Sequence, residues 1–105
     1  MKKHTLKVKR NKKKSSSTIS LGGQLNVSTI VDIYAEFKKA IKDAKIVIVN
    51  IKDVEDADIT LMQMLKSFEI HCQKSSTEFK TSFELPEDIN HLFDKAGLFK
   101  LININ

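Results

Sequence analysis

The sequence holds one cysteine, one proline and three glycines, and no acid occurs among its first fourteen residues. No apolar run approaches the roughly 18 residues that a membrane-crossing helix needs, so no membrane insertion is expected. A single cysteine cannot close an internal disulfide, and a reducing, cytoplasmic setting is the expectation. The basic N-terminus has no apolar stretch behind it, so no secretory signal is expected. Catalytic patterns are missing too. His4, His71 and His91 are scattered without metal-ligand spacing. His71 adjoins Cys72, but neighbours on a helix point about 100° apart. No serine lies in a nucleophile-elbow setting, and Gly22-Gly23 is too short to cradle a phosphate. Neither an enzyme, a metal nor a cofactor is expected.

At 105 residues the chain has room for one hydrophobic core. Its net charge of +5 is unevenly spread. Residues 1–14 carry eight lysines and arginines, whereas the rest carries ten basic against thirteen acidic side chains. Such a basic stretch suits a nucleic-acid tail. It equally suits a solvated edge strand whose lysines deter pairing with another sheet. No aromatic residue interleaves with the lysines to stack on bases, so the edge strand is preferred and no nucleic-acid partner is expected. Residues 1–16 are therefore read as a basic strand and loop, and residues 17–105 as the compact domain.

The centre of the chain is the run Ile46 to Ile51, β-branched except for Asn50. Such a run bounded by turn chemistry predicts a buried strand, with Ile48 fully covered. An acidic turn, Lys52 to Asp58, is expected to follow. Leu61, Met64, Leu65, Phe68 and Cys72 then share one helical face. Asp58 is the expected cap of that helix, and Thr60 lies in its first turn, where the helix dipole favours an added anion.

Around this centre the patterns alternate. Thr5 to Arg10 and Thr18 to Leu21 read as strands, with Gly22-Gly23 as a turn or bulge. A helix is predicted over 28–44, capped by Asn26 or Ser28, with Ile30, Ile33, Tyr34, Phe37 and Ile41 on its inner stripe. Thr77 to Phe83 alternates as a strand. Pro86, Glu87 and Asp88 suit the first turn of a last helix that Gly97 ends. Leu98 to Ile104 is read as a short edge strand. Alternating strands and helices predict an α/β fold, a four- or five-stranded mixed sheet with helices mainly on one face.

With these residues laid out, the chain resembles a STAS domain, the module of bacterial anti-sigma factor antagonists and sulfate-transporter tails. The resemblance spans roughly residues 17–102. Leu21-Gly-Gly-Gln-Leu25 is similar to the family's early turn before its first helix. Ile46 to Ile51 matches its central strand, and Val54-Glu55 with Ala57-Asp58 matches the approach to its signature. Leu85-Pro86 through Ile89, Leu92, Phe93, Gly97 and Leu98 resembles its closing helix. At the signature, Asp58 matches and Thr60 falls at the hydroxyl position that a partner kinase phosphorylates in sigma-regulating members. Ile59 stands where that family has a small residue, and Leu61 where it has glycine.

The resemblance implies a protein-binding function centred on Asp56, Asp58, Ile59, Thr60, Leu61 and Met62; since only one face of the helix can be core, Met62 is the expected exposed apolar residue. Thr60 is either a phosphorylation switch or a helical residue bonding locally. The implied partner is an anti-sigma factor resembling a serine kinase. The alternative is the ATPase of an ABC-type phospholipid-trafficking transporter, on which the domain would dock constitutively.

Overall fold

A computed structural model describes residues 3–101. The elements are β1 (His4–Asn11), β2 (Ser16–Leu25), α1 (Ile30–Ala40), β3 (Ile46–Ala57), α2 (Ile59–Lys74), β4 (Glu78–Phe83) and α3 (Glu87–Lys95), followed by a 3-10 turn at Leu98–Leu101. The strands form one mixed sheet in the order β1-β2-β3-β4. β1 is antiparallel to β2, while β2, β3 and β4 are parallel. Each crossover adds the next strand on the same side. Right-handed connections of that kind put α1 and α2 on one face of the sheet. The expected α/β class and mixed sheet are what the structure has, and the lysine-bearing β1 is an edge strand.

Burial follows this one-sidedness. Val47, Val49 and Ile51 of β3 are buried beside Ile19 and Leu21 of β2. Ile46, Ile48 and Asn50 between them are only half-buried, so Ile48 is not the fully covered residue expected. Side chains alternate across a strand, and only every second residue of an apolar run meets the helices. The bare face carries Thr18 and Ser20 beside Ile48 and Asn50, and the Ser82 hydroxyl donates to Asn50 Oδ1 at 2.7 Å.

β3 is longer than the sequence predicts. Lys52 to Ala57 continues the strand instead of turning, with Val54 opposite Gly23 and Ala57 opposite Leu25. A bulge makes this possible. Gly23 takes φ 78° and Asp53 takes φ 54°, and the register of β2 against β3 shifts there. The inserted step resets the alternation, so Val54 and Ala57 are buried at a spacing of three while the acids between them face solvent. A Cβ on Gly22 would strike the Lys52 carbonyl oxygen, and one on Gly23 would lie 2.8 Å from the carbonyl oxygen of Lys3.

α1 starts at Ile30 and ends at Ala40, shorter than predicted at both ends. Its N-cap position is Thr29, whose side chain makes no capping bond; the Asn26 carbonyl takes the Ile30 amide instead, at 2.9 Å. Asp43 at φ 64° turns the chain toward β3. α1 and α2 meet through Phe37 stacked on Phe68, ring centres 4.3 Å apart, with Tyr34 beside them at 4.9 Å. Pro86 occupies the N-cap of α3, one residue earlier than expected, with Glu87 and Asp88 in the first turn. Gly97, at φ 71°, ends the helix as expected. Beyond it Leu98–Leu101 is a 3-10 turn, not a strand, and the rest of the expected strand, 102–104, lies outside the described residues. Local bonding there is helical, from the Lys100 amide to the Gly97 carbonyl at 3.2 Å. Phe99 packs against Phe83 and Phe93, with ring centres 5.5 and 6.1 Å away. Among the described residues no helix is long and apolar enough to cross a membrane.

Three substitutions separate these roles by urea unfolding. Ile51→Ala should cost about 2–5 kcal/mol, as a large-to-small change in a packed core does. Ile48→Ala should cost about 1 kcal/mol, because its side chain lies on the sheet face that the helices leave partly open. Gly23→Ala should cost more than about 1 kcal/mol through the strained positive φ.

Candidate functional site

Parallel neighbours end at the same edge of a sheet. The loop after β2 and the junction between β3 and α2 therefore meet, and the Asp58 amide extends the ladder by donating to the Leu25 carbonyl at 3.2 Å. Asp58 itself is extended, at φ −135° and ψ −175°, and the helix begins with the next residue. Its carboxylate works in two directions. Oδ1 accepts the Thr60 backbone N–H at 3.0 Å and also the Thr60 hydroxyl. Oδ2 accepts the Val27 backbone N–H at 2.9 Å, from the neighbouring loop. Asp58 is thus the helix cap the sequence predicts, and also a tie between two crossovers, which the sequence does not show.

A side-chain network surrounds this tie. Asn26 Nδ2 donates to Asp56 Oδ2 at 2.7 Å and to Gln24 Oε1 at 3.2 Å, while its Oδ1 accepts the Ser28 amide at 3.0 Å. Gln24 Nε2 donates to Glu55 Oε2 at 3.1 Å. The Thr29 hydroxyl donates to the Gln24 carbonyl at 2.6 Å. Asn26, expected as a cap of α1, instead fixes the β2–α1 loop against the acidic end of β3.

The predicted site residues separate into two groups. Asp56 is exposed, Asp58 and Thr60 are half-buried, and Ile59 stands 48% exposed. Leu61 and Met62 are fully buried. The expectation that Met62 faces solvent is therefore wrong, and neither residue presents a side chain to a partner. The inference assumed that α2 is covered along one narrow stripe. The helix is covered more broadly, with Leu61, Met62, Met64, Leu65, Phe68 and Glu69 all inside, because α1, β4 and the 3-10 turn each pack against it. The buried Glu69 carboxylate meets Lys66 Nζ at 2.9 Å.

Sequence reasoning missed two residues at this end. Val27 is 69% exposed and Val31 is 77% exposed. Val27 lies in the loop held by Asp58, and Val31 lies in the first turn of α1. The signal was present: both are β-branched apolar residues out of phase with the inner stripe of α1. Asp56, held by the Asn26 side chain next to Val27, adds negative charge there. Among the described residues no acid cluster is arranged to hold a metal ion. His71 is exposed and Cys72 is buried, and burial pushes the Cys72 thiol above its usual range. The arrangement offers hydrogen bonding, charge and apolar surface.

The fold is the STAS fold. Among the solved structures that share it are two of SpoIIAA. One is the Bacillus cell-fate determinant SpoIIAA in its phosphorylated form, 14% identical, with 96% of this chain covered against 91% of that one and a TM-score of 0.64. The other is the anti-sigma factor antagonist SpoIIAA in its unphosphorylated form, also 14% identical, with 96% of this chain covered against 88% and a TM-score of 0.69. At that identity the likeness is one of fold. No family model matches the sequence, and no curated protein matches it.

Asp58→Ala should destabilise the domain by about 2 kcal/mol, combining a lost cap with an unpaired Val27 amide. Thr60→Val keeps the backbone bond and loses only the hydroxyl, so it should cost less than about 1 kcal/mol. Thermal unfolding of both variants, with amide exchange at Val27, measures the difference.

Proposed function

We propose that the chain is a non-catalytic protein-interaction domain of the anti-sigma factor antagonist type, docking through the end of the molecule where α2 begins. The observation that carries this reading is the half-exposed Thr60 hydroxyl, held by Asp58 at the start of a helix beside the exposed Ile59. The contact surface would be Ile59, Val27 and Val31, framed by Asp56 and Asp58. Leu61 and Met62 support it from beneath.

Phosphorylation of Thr60 would add about −1.5 to −2 charges directly against the Asp58 carboxylate. The hydroxyl could no longer donate to Asp58. Repulsion would move that carboxylate and release the Val27 amide, so the charge would reach the apolar β2–α1 loop as well as Ile59. SpoIIAA has been solved in phosphorylated and unphosphorylated forms, which supports testing Thr60 as the switch. A constitutive subunit docked on the ATPase of a phospholipid-trafficking ABC transporter remains the second reading. The occupied Thr60 hydroxyl favours it, since a residue already bonded to Asp58 serves docking without any phosphate.

The test is affinity capture from the native host, followed by titration of the captured protein against variants. Thr60→Glu should weaken binding at least about tenfold, or about 1.4 kcal/mol, while Thr60→Ala keeps it. Ile59→Asp should weaken binding in either reading. A kinase-like partner with phosphate found on Thr60 by mass spectrometry supports the switch. An ATPase that binds Thr60→Glu as tightly as the parent sinks it.

A further inference from the structure

The opposite end of the molecule is built for a different task. Between the C-terminal halves of α1 and α2, beside the turns that lead into β3 and β4, lies an open groove of about 1040 Å³. Its size lies at the upper end of small-molecule sites, which run to about 1,000 Å³. Tyr34, Ile41, Phe68 and Cys72 give it an apolar wall. Lys38, Lys39, Lys42 and Lys45 stand around it, against the single acid Asp43. All four lysines are exposed, and among the described residues none is in an ion pair.

Helix electrostatics accounts for only part of this charge. Lys38 and Lys39 lie in the last turn of α1, where cations offset the helix dipole. The end of that helix is also covered by Arg10, whose guanidinium donates to the Lys39 and Lys42 carbonyls at 3.1 and 3.5 Å. Lys42 and Lys45 lie beyond the helix, and no such role explains them. A purely polar anion would leave the apolar wall unused, and a neutral apolar molecule would leave the lysines unused. The turns 41–45 and 75–77 bound the groove at one end, which suits the end of a slender chain better than a partner helix running through.

We propose that this groove binds an amphipathic anion, an acyl chain with a carboxylate or phosphate head. The chain lies along Tyr34, Ile41, Phe68 and Cys72, and the head sits between Lys42 and Lys45. The site is independent of the interaction surface at Thr60 and goes beyond the function proposed there.

Titration with the fluorescent probe dansyl-undecanoate tests it, followed by displacement with laurate, dodecyl phosphate, dodecyltrimethylammonium or an acidic amphipathic peptide. Saturable binding is expected, displaced by the anionic amphiphiles and not by the cation. The more potent of laurate and dodecyl phosphate identifies the head group. The double variant Lys42→Glu/Lys45→Glu should bind the probe at least about tenfold more weakly. Ala35→Trp, at an exposed position on the groove wall, should do the same by filling the space. Both should keep the parent circular dichroism. Alkylation of Cys72, the sole thiol, should slow when laurate is bound. The proposal is overturned if the probe does not saturate, if the cation competes as well as laurate, if the charge reversal leaves affinity unchanged, or if the peptide alone displaces.

Discussion

The parallel pairing of β2 with β3 is the contact from which the rest of this molecule takes its place. Ile19 and Leu21 lie beside Val49 and Ile51 across that ladder, and together they make the floor on which α1 and α2 rest. The same pairing brings the ends of the two strands to one edge. Without it Asp58 would cap its own helix and nothing more. With it, the carboxylate also reaches the Val27 amide. The bulging of β3 opposite Gly22-Gly23 lets β2 and β3 stay paired past Ile51, and so delivers Asp56 and Asp58 to the mouth of the loop they hold.

The two ends of the sheet consequently differ in chemistry. Where the parallel strands finish, acids and exposed valine and isoleucine side chains surround a hydroxyl. Where they begin, lysines surround an apolar groove. The long helix α2 runs from one end to the other, with Thr60 in its first turn and Cys72 in its last. Its middle is gripped by the Phe37–Phe68 stack. The net positive charge of the chain conceals this polarity, because the basic N-terminal strand outweighs the acidic body in the sum.

Much of this was legible in the sequence, and for identifiable reasons. The β-branched run Ile46–Ile51, the stripe from Leu61 to Cys72 and the capping aspartate are local signals, set by periodicity and by short-range hydrogen bonding. They gave the element order, the sheet type and Asp58 as the cap of α2. What was not legible depends on partners distant in the chain. Lys52–Ala57 looked like a turn because its polarity hides a strand whose alternation is reset by its own bulges against β2. Ile48 looked buried because the run says nothing of which sheet face is bare. Met62 looked exposed because the breadth of cover over α2 comes from α1, β4 and the closing 3-10 turn. Asn26 looked like a cap because its preference for Asp56 arises only through strand pairing.

The bond from Val27 to Asp58 joins residues 31 positions apart, and it closes only after α1 has crossed over and β3 has docked on β2. The β1–β2 hairpin needs no such closure, since its loop is short and its entropic cost small. The hairpin is thus the cheaper contact to close, and the junction the one that requires the whole crossover. The surface at the start of α2 comes into being at that junction. A chain whose crossover is incomplete lacks that junction, so a partner docking at this end as proposed would also check that folding is complete.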